Sequence, residues 1–202
     1  APHLKIDPNI LRSTASLLKT LWQDARLWRT GIMVSLFWLI GATIMSLLPP
    51  LVKNLLGGEE MVVSTYLAIF AVSIAIGSAF GSFLMSGRIV LLPVPVASIV
   101  MGLFALHLSY VLHGVSPATT EQSPGEFFSH AIAWKVAIDL AGIAIAGGVF
   151  IVPSFAAAQS WAPVESRARV VGAINALNAA FMAGGALAFS YLQSMGLTLS
   201  QL

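Results

Sequence analysis

Five stretches of this chain contain no Lys, Arg, Asp or Glu: Thr30 to Val52, Met61 to Gly87, Ile89 to Thr120, Leu140 to Val164, and everything after Arg169. Each is longer than the roughly 20 apolar residues needed to cross a ~30 Å hydrocarbon core. A soluble helix can be apolar all round only if other elements coat it. Five such helices among 202 residues leave no polar chain to do the coating. Charged residues make up only 9% of the sequence, against about a quarter in soluble domains, and the mean hydropathy is +0.88. The expected fold is therefore an all-α integral membrane protein.

The order of polar punctuation sets the organisation. Asp7-Pro8 makes a helix start, with Asp as N-cap and Pro at the first helical position; Ala1 to Ile6 before it reads as extended. From Asp7 to Trp28, Ile10, Leu17, Leu18, Leu21, Ala25 and Trp28 recur on one face, interrupted by Thr14, with Arg12, Ser16, Lys19, Gln23 and Arg26 opposite. A basic amphipathic helix with tryptophans suits a bilayer interface; a surface helix facing a partner is the alternative. Residues 1–29 thus form a linker with an interfacial helix, and residues 30–202 a bundle of five spans at about 30–56, 61–85, 89–113, 130–159 and 170–195. Pro49-Pro50 should bend or end the first span. Gly57 to Glu60 and Ser86 to Arg88 are short turns. Val115 to Ser129 is the longest loop, and Trp161 to Arg169 a polar hinge.

With the N-terminus inside, that side collects Lys5, Arg12, Lys19, Arg26, Arg29, Arg88, Arg167 and Arg169. The opposite side collects only Lys53 and Lys135, together with Glu59, Glu60, Glu121 and Glu126. The positive-inside rule then predicts a cytoplasmic N-terminus and an outside C-terminus. The dispersed basic residues do not form a nucleic-acid surface. No cysteine is present, which excludes disulfides and thiolate metal sites. There is no Ser-His-Asp arrangement, P-loop, dinucleotide fingerprint or metal-ligand spacing, so no enzyme activity, metal or cofactor is expected.

The candidates for function are polar groups inside the spans. Lys135 and Asp139 are one helical turn apart and their side chains can meet. Asp139 falls roughly 13 Å into the fourth span at about 1.5 Å per residue, where an ionisable group usually faces a bundle interior or a wet cavity. The pair is read either as a self-neutralised stabiliser of its helix or as part of a transport path. Asn175 and Asn178, three residues apart, share a face of the fifth span and suit bonding to a neighbouring helix. His107 alone among the histidines lies well inside a span. Gly77-x-x-x-Gly81, Gly147-Gly148 and Gly184-Gly185 allow helices to approach closely.

Several phrases together resemble a known family. The basic Ser86-Gly87-Arg88 turn and the Pro163-x-Glu165-x-Arg167-x-Arg169 hinge are similar to cytoplasmic loops of the major facilitator superfamily, in its C-terminal six-helix half. Ile6-Asp7-Pro8-Asn9, Phe37-Trp38-x-x-Gly41-Ala42-Thr43, Leu56-Gly57-Gly58-Glu59-Glu60 and Ser166-Arg167-Ala168-Arg169-Val170 through Asn175-x-x-Asn178-Ala179 look like its lysophospholipid transporter branch. That branch includes versions fused to an acyltransferase and an acyl-carrier-protein ligase. The resemblance covers nearly the whole chain from Ile6. It implies a facilitator that moves lysophospholipid between leaflets of a bacterial inner membrane, built from two six-helix halves that rock around a central site. The five spans would be its seventh to eleventh, with Lys135, Asp139, Asn175, Asn178 and His107 as cavity candidates and Arg88, Glu165, Arg167 and Arg169 anchoring or gating cytoplasmic loops. The implied partners are the lipid bilayer, a phospholipid ligand, and either a missing N-terminal transporter half or a larger membrane complex that this chain serves as a non-transporting subunit.

Overall fold

A computed structural model describes residues 10–197. The expected extended start at Ala1 to Ile6, the Asp7-Pro8 cap, Lys5 and the last residues of the chain lie outside them. The described residues are helical: α1 (Ile10–Trp22), α2 (Ala25–Pro50) running into a π-helical turn (Leu51–Leu56), α3 (Glu60–Met85), α4 (Pro93–Leu112), a single turn α5 (Pro124–Phe127), α6 (Ala131–Trp161), a 3-10 turn (Val164–Ser166) and α7 (Arg167–Ser194). Five of these helices, α2 with its π turn, α3, α4, α6 and α7 with its preceding 3-10 turn, are long and apolar enough to cross a membrane. The chain is a multi-pass membrane protein, and its outer surface has the matching chemistry. Phe83, Leu92, Leu106 and Leu187 are exposed side chains that would be costly in water and are at ease in lipid.

Several boundaries differ from the sequence reading, each for a local reason. The amphipathic helix does not run through to Trp28. Asp24 adopts an extended backbone and its carboxylate accepts the N–H groups of Arg26 (2.8 Å) and Leu27 (3.4 Å), so a new helix starts there. Ala25 is consequently exposed rather than part of the apolar stripe. The face of α1 that carries Leu21 packs into a cluster with Leu27, Val34, Ala158, Val170 and Ile174, which seats it on the protein, while Trp22 stays exposed. Pro49-Pro50 neither ends nor breaks the first span. Proline removes the N–H of the regular ladder and crowds the preceding turn, and the backbone answers by widening into the π turn. The third span begins at Pro93, not Ile89. Residues before a proline disfavour helix, whereas Pro93 is pre-set for the first helical position.

The Asp24 cap makes a prediction. The Arg26 backbone N–H above all holds its carboxyl below the ordinary value of 3.8, so the cap is fully present above that value and is lost as pH falls through the lowered one. Asp24→Ala should cost about 1 kcal/mol locally. That corresponds to roughly five-fold faster amide hydrogen exchange at Arg26 and Leu27 at neutral pH.

The spans alternate in direction, so the bundle has two distinguishable ends. At one, Arg26 lies over the Trp161 ring, 5.7 Å from its centroid, joining the start of α2 to the end of α6. At the other, Lys53 Nζ bonds Glu60 Oε2 at 2.7 Å. There too the long loop is pinned by Gln122 N–H to the Gly57 carbonyl (2.7 Å) and Ala118 N–H to the Leu55 carbonyl (3.1 Å). Helix α6 is the hub, packing against α3, α4, α2 and α7. Two thirds of its most apolar stretch is buried, against 17–28% for the other four spans. Its run of alanine and glycine is the cause, since small side chains let four neighbours approach one axis. By contrast, α4 has α6 as its one substantial neighbour.

Candidate functional site

Because α2 and α4 both lean on α6 without packing on each other, a cavity of about 670 Å³ opens between them. Its wall is formed by residues such as Leu36, Phe37, Ile40, Leu48, Met101 and Phe150, with Phe189 contributed by α7. Three polar side chains reach it: Thr43, Ser98 and Ser109. Two of them are spent on their own helices, Thr43 donating to the Leu39 carbonyl (2.9 Å) and Ser98 to the Pro95 carbonyl (2.8 Å). No charged residue lines it. A wall of this kind can hold an aliphatic chain and offers little to orient a polar solute.

The polar candidates are elsewhere. None of Lys135, Asp139, Asn175, Asn178 and His107 lies in the wall of that cavity. Lys135 and Asp139 do not meet. Asp139 is turned inward and its side chain is 1% exposed, whereas Lys135 is exposed and has no ion pair among the described residues. Lys135 stands one turn nearer the helix end, so its ammonium gains more by extending toward water than by entering the packed interior. Asp139 bonds His107 instead. Nδ1 of His107 stands 2.8 Å from Oδ1 and 2.9 Å from Oδ2, which ties α4 to α6. The His107 side chain is 54% exposed. Counted along the helices at about 1.5 Å per residue, the pair lies roughly 8–12 Å from the Lys53 end, within the apolar layer.

Helical register places this pair at one end of a second groove, of about 480 Å³, between α3 and α4. His107 follows Phe104 by three residues and Asp139 precedes Gly142 by three, and both Phe104 and Gly142 line that groove. The Phe104 ring lies flush on Gly142, so the floor one turn below the pair is dry and apolar.

The two asparagines also part company. Asn178 is buried, and its Oδ1 accepts the Ser35 hydroxyl at 2.7 Å, joining α7 to α2; Asn175 is exposed. Three residues span 300° of helix, and the 60° left over suffices to separate a buried from an exposed position. Arg88, Glu165, Arg167 and Arg169 are all exposed at the Arg26 end, Arg88 and Glu165 in connections and Arg167 and Arg169 in the first turn of α7, which begins inside the expected hinge. Besides the pairing of His107 with Asp139, the sequence reading missed three contacts: Ser35 as the partner of Asn178, the Lys53–Glu60 bridge, and the Tyr66 hydroxyl donating to the Ala133 carbonyl (2.8 Å). A Lys and a Glu flanking a two-glycine turn was a usable signal for the bridge. Nothing local foretold the other two. No group of three or more His, Cys, Asp or Glu among the described residues could hold a metal ion. No family model, curated protein or solved structure matches this chain.

Proposed function

We propose that this chain is a transporter-type membrane domain of the major facilitator kind, that it handles lysophospholipid in a bacterial inner membrane, and that its N-terminus is cytoplasmic. The observation that carries the reading is the 670 Å³ cavity, whose wall is almost wholly aliphatic and aromatic. A single acyl chain fits such a wall, whereas a sugar or amino acid would find three hydroxyls and no charged group there to replace its lost water. The orientation rests on the bias of Lys and Arg toward the Arg26 end, and the family on the sequence phrases quoted above.

The test is uptake of labelled lysophospholipid by inner-membrane vesicles containing the native protein. Gly102 lines the cavity, a Cβ added there meets nothing within 4 Å, and a larger side chain has the open cavity to extend into. Gly102→Trp should therefore leave thermal stability nearly unchanged and cut uptake several-fold. Uptake equal to that of vesicles lacking the protein would sink the reading.

One observation favours a second reading, a non-transporting subunit of a larger membrane complex. Asp139 and Asn178, the buried polar candidates, are engaged in joining helices to one another. Stoichiometric co-purification with a larger assembly from mild detergent, without lysophospholipid flux, is the result that would replace the first reading with this one.

A further inference from the structure

We propose that the His107–Asp139 pair is a proton-binding site that governs the attachment of α4 to the bundle. Three observations carry this beyond the transport reading, on which it does not depend. First, Asp139 passes over the permanent cation available one turn away, Lys135, and takes as its partner the one side chain whose ordinary charge change lies near neutral pH. Its partner is thus a group that can gain or lose a proton and not a fixed cation. Second, only Nδ1 of His107 is engaged, and the ring is half exposed with Nε2 unpartnered among the described residues. Third, α4 is flanked by the two gaps and has α6 as its one substantial neighbour, so the pair is a polar tie within the single, otherwise apolar interface that attaches this helix.

The proton balance is simple. With both ring nitrogens protonated and the carboxylate ionised, the pair is neutral overall. Loss of the Nε2 proton to water breaks the N–H bond and forms an O–H bond on the accepting water, which carries the positive charge away. The neutral ring still donates Nδ1–H to the carboxylate, and one negative charge remains in the apolar layer. The charged tie becomes an ordinary hydrogen bond beside an uncompensated buried anion, which favours a conformation that lets water reach Asp139. Tyr110 and His113 follow His107 at three-residue steps toward the Lys53 end, and both are exposed, so polar side chains continue on that side of α4 toward the helix end.

Other titratable groups on the packed elements do not substitute for this pair. On α3, Tyr66 is committed to the Ala133 carbonyl, and Glu60 is bridged to Lys53 at the helix end. On α2, nothing titrates from Thr30 to Val52; on α7, Arg167 and Arg169 stand at the far end and Tyr191 is exposed near the Lys53 end. On α6 itself, Lys135 is the remaining group.

The experiment is nitrogen NMR of the full chain, labelled with ¹⁵N-histidine, in phosphatidylethanolamine–phosphatidylglycerol nanodiscs, with the His107 signals assigned by their loss in His107→Gln. The expected result is a one-proton change at the His107 ring between about pH 5 and pH 8, displaced to lower pH in Asp139→Asn, where no carboxylate favours the charged ring. A His107 ring whose signals are flat across that range in the unmutated protein overturns the proposal and leaves a static tie. That decision needs no variant to fold. A titration that is not displaced in Asp139→Asn also overturns it, because the site would then be the ring alone. No lipid flux is read, so failure of the lysophospholipid proposal leaves this result standing, and the reverse.

Discussion

Gly77→Ala should destabilise the bundle by about 3 kcal/mol, near the upper end of the range for overpacked cores, although alanine is the better helix former by roughly 0.5–1 kcal/mol. The reason is the seam between α3 and α6. A Cβ at Gly77 would fall on the Ile145 carbonyl group, with the carbonyl carbon 2.7 Å away, and one at Gly148 would meet the backbone of α3 at Gly77 and Ser78. Backbone cannot rotate aside as a side chain can, so the two helices must separate along the most extensive interface of the fold. Gly102→Ala is the control: it meets nothing within 4 Å and should be neutral or slightly stabilising. Thermal or denaturant unfolding of both variants in lipid nanodiscs checks the contrast. Equal stabilities would mean that the seam tolerates expansion and that α6 is not a rigid hub.

Removing His107 should do much more harm than removing Asp139. His107→Leu leaves a buried carboxylate with no partner, a change of the order of 3 kcal/mol when one member of a buried pair is deleted. Part of that cost is relieved if Asp139 takes up a proton. Asp139→Leu leaves a half-exposed imidazole that can turn outward, and its cost should approach the ~0.6 kcal/mol typical of one interhelical hydrogen bond in a membrane protein. The double variant should be more stable than His107→Leu alone, because an apolar pair carries no desolvation debt. A double-mutant cycle under the same unfolding conditions measures this. If the two single variants lose equal stability, Asp139 is not buried as tightly as its 1% side-chain exposure states.

The parts of the fold legible in sequence were those governed by local composition. The five uncharged windows foretold five spans, because a helix segment in hydrocarbon needs nothing from its neighbours to satisfy its backbone. The boundaries that shifted depended on single side chains doing more than their hydropathy conveyed. Asp24 lies inside the stretch read as one amphipathic helix and serves as the cap that splits it in two. Pro49-Pro50, expected to bend or end the first span, is absorbed by a wider turn, which the surrounding helices make affordable.

The polar site shows the limit more sharply. Asp139 and His107 were each visible as ionisable groups within spans, and each was named, but not as partners. Lys135, at i−4 on the same helix, was the neighbour that periodicity could offer. His107 is 32 residues away across a loop, and only the packing of α4 on α6 brings them together. Asn178 was similarly visible, while its partner Ser35, 143 residues distant, was not.

Sequence alone determined that this chain lives in a bilayer, where its five candidate spans lie, and which residues would be expensive there, since those follow from transfer free energies of contiguous residues. Tertiary structure decided which helix is central, which gaps stay open, and whether a buried charge is met by a permanent cation or by an imidazole. Those depend on how rigid helices pack in three dimensions, and no spacing along one chain encodes the distance between two helices until both are in place.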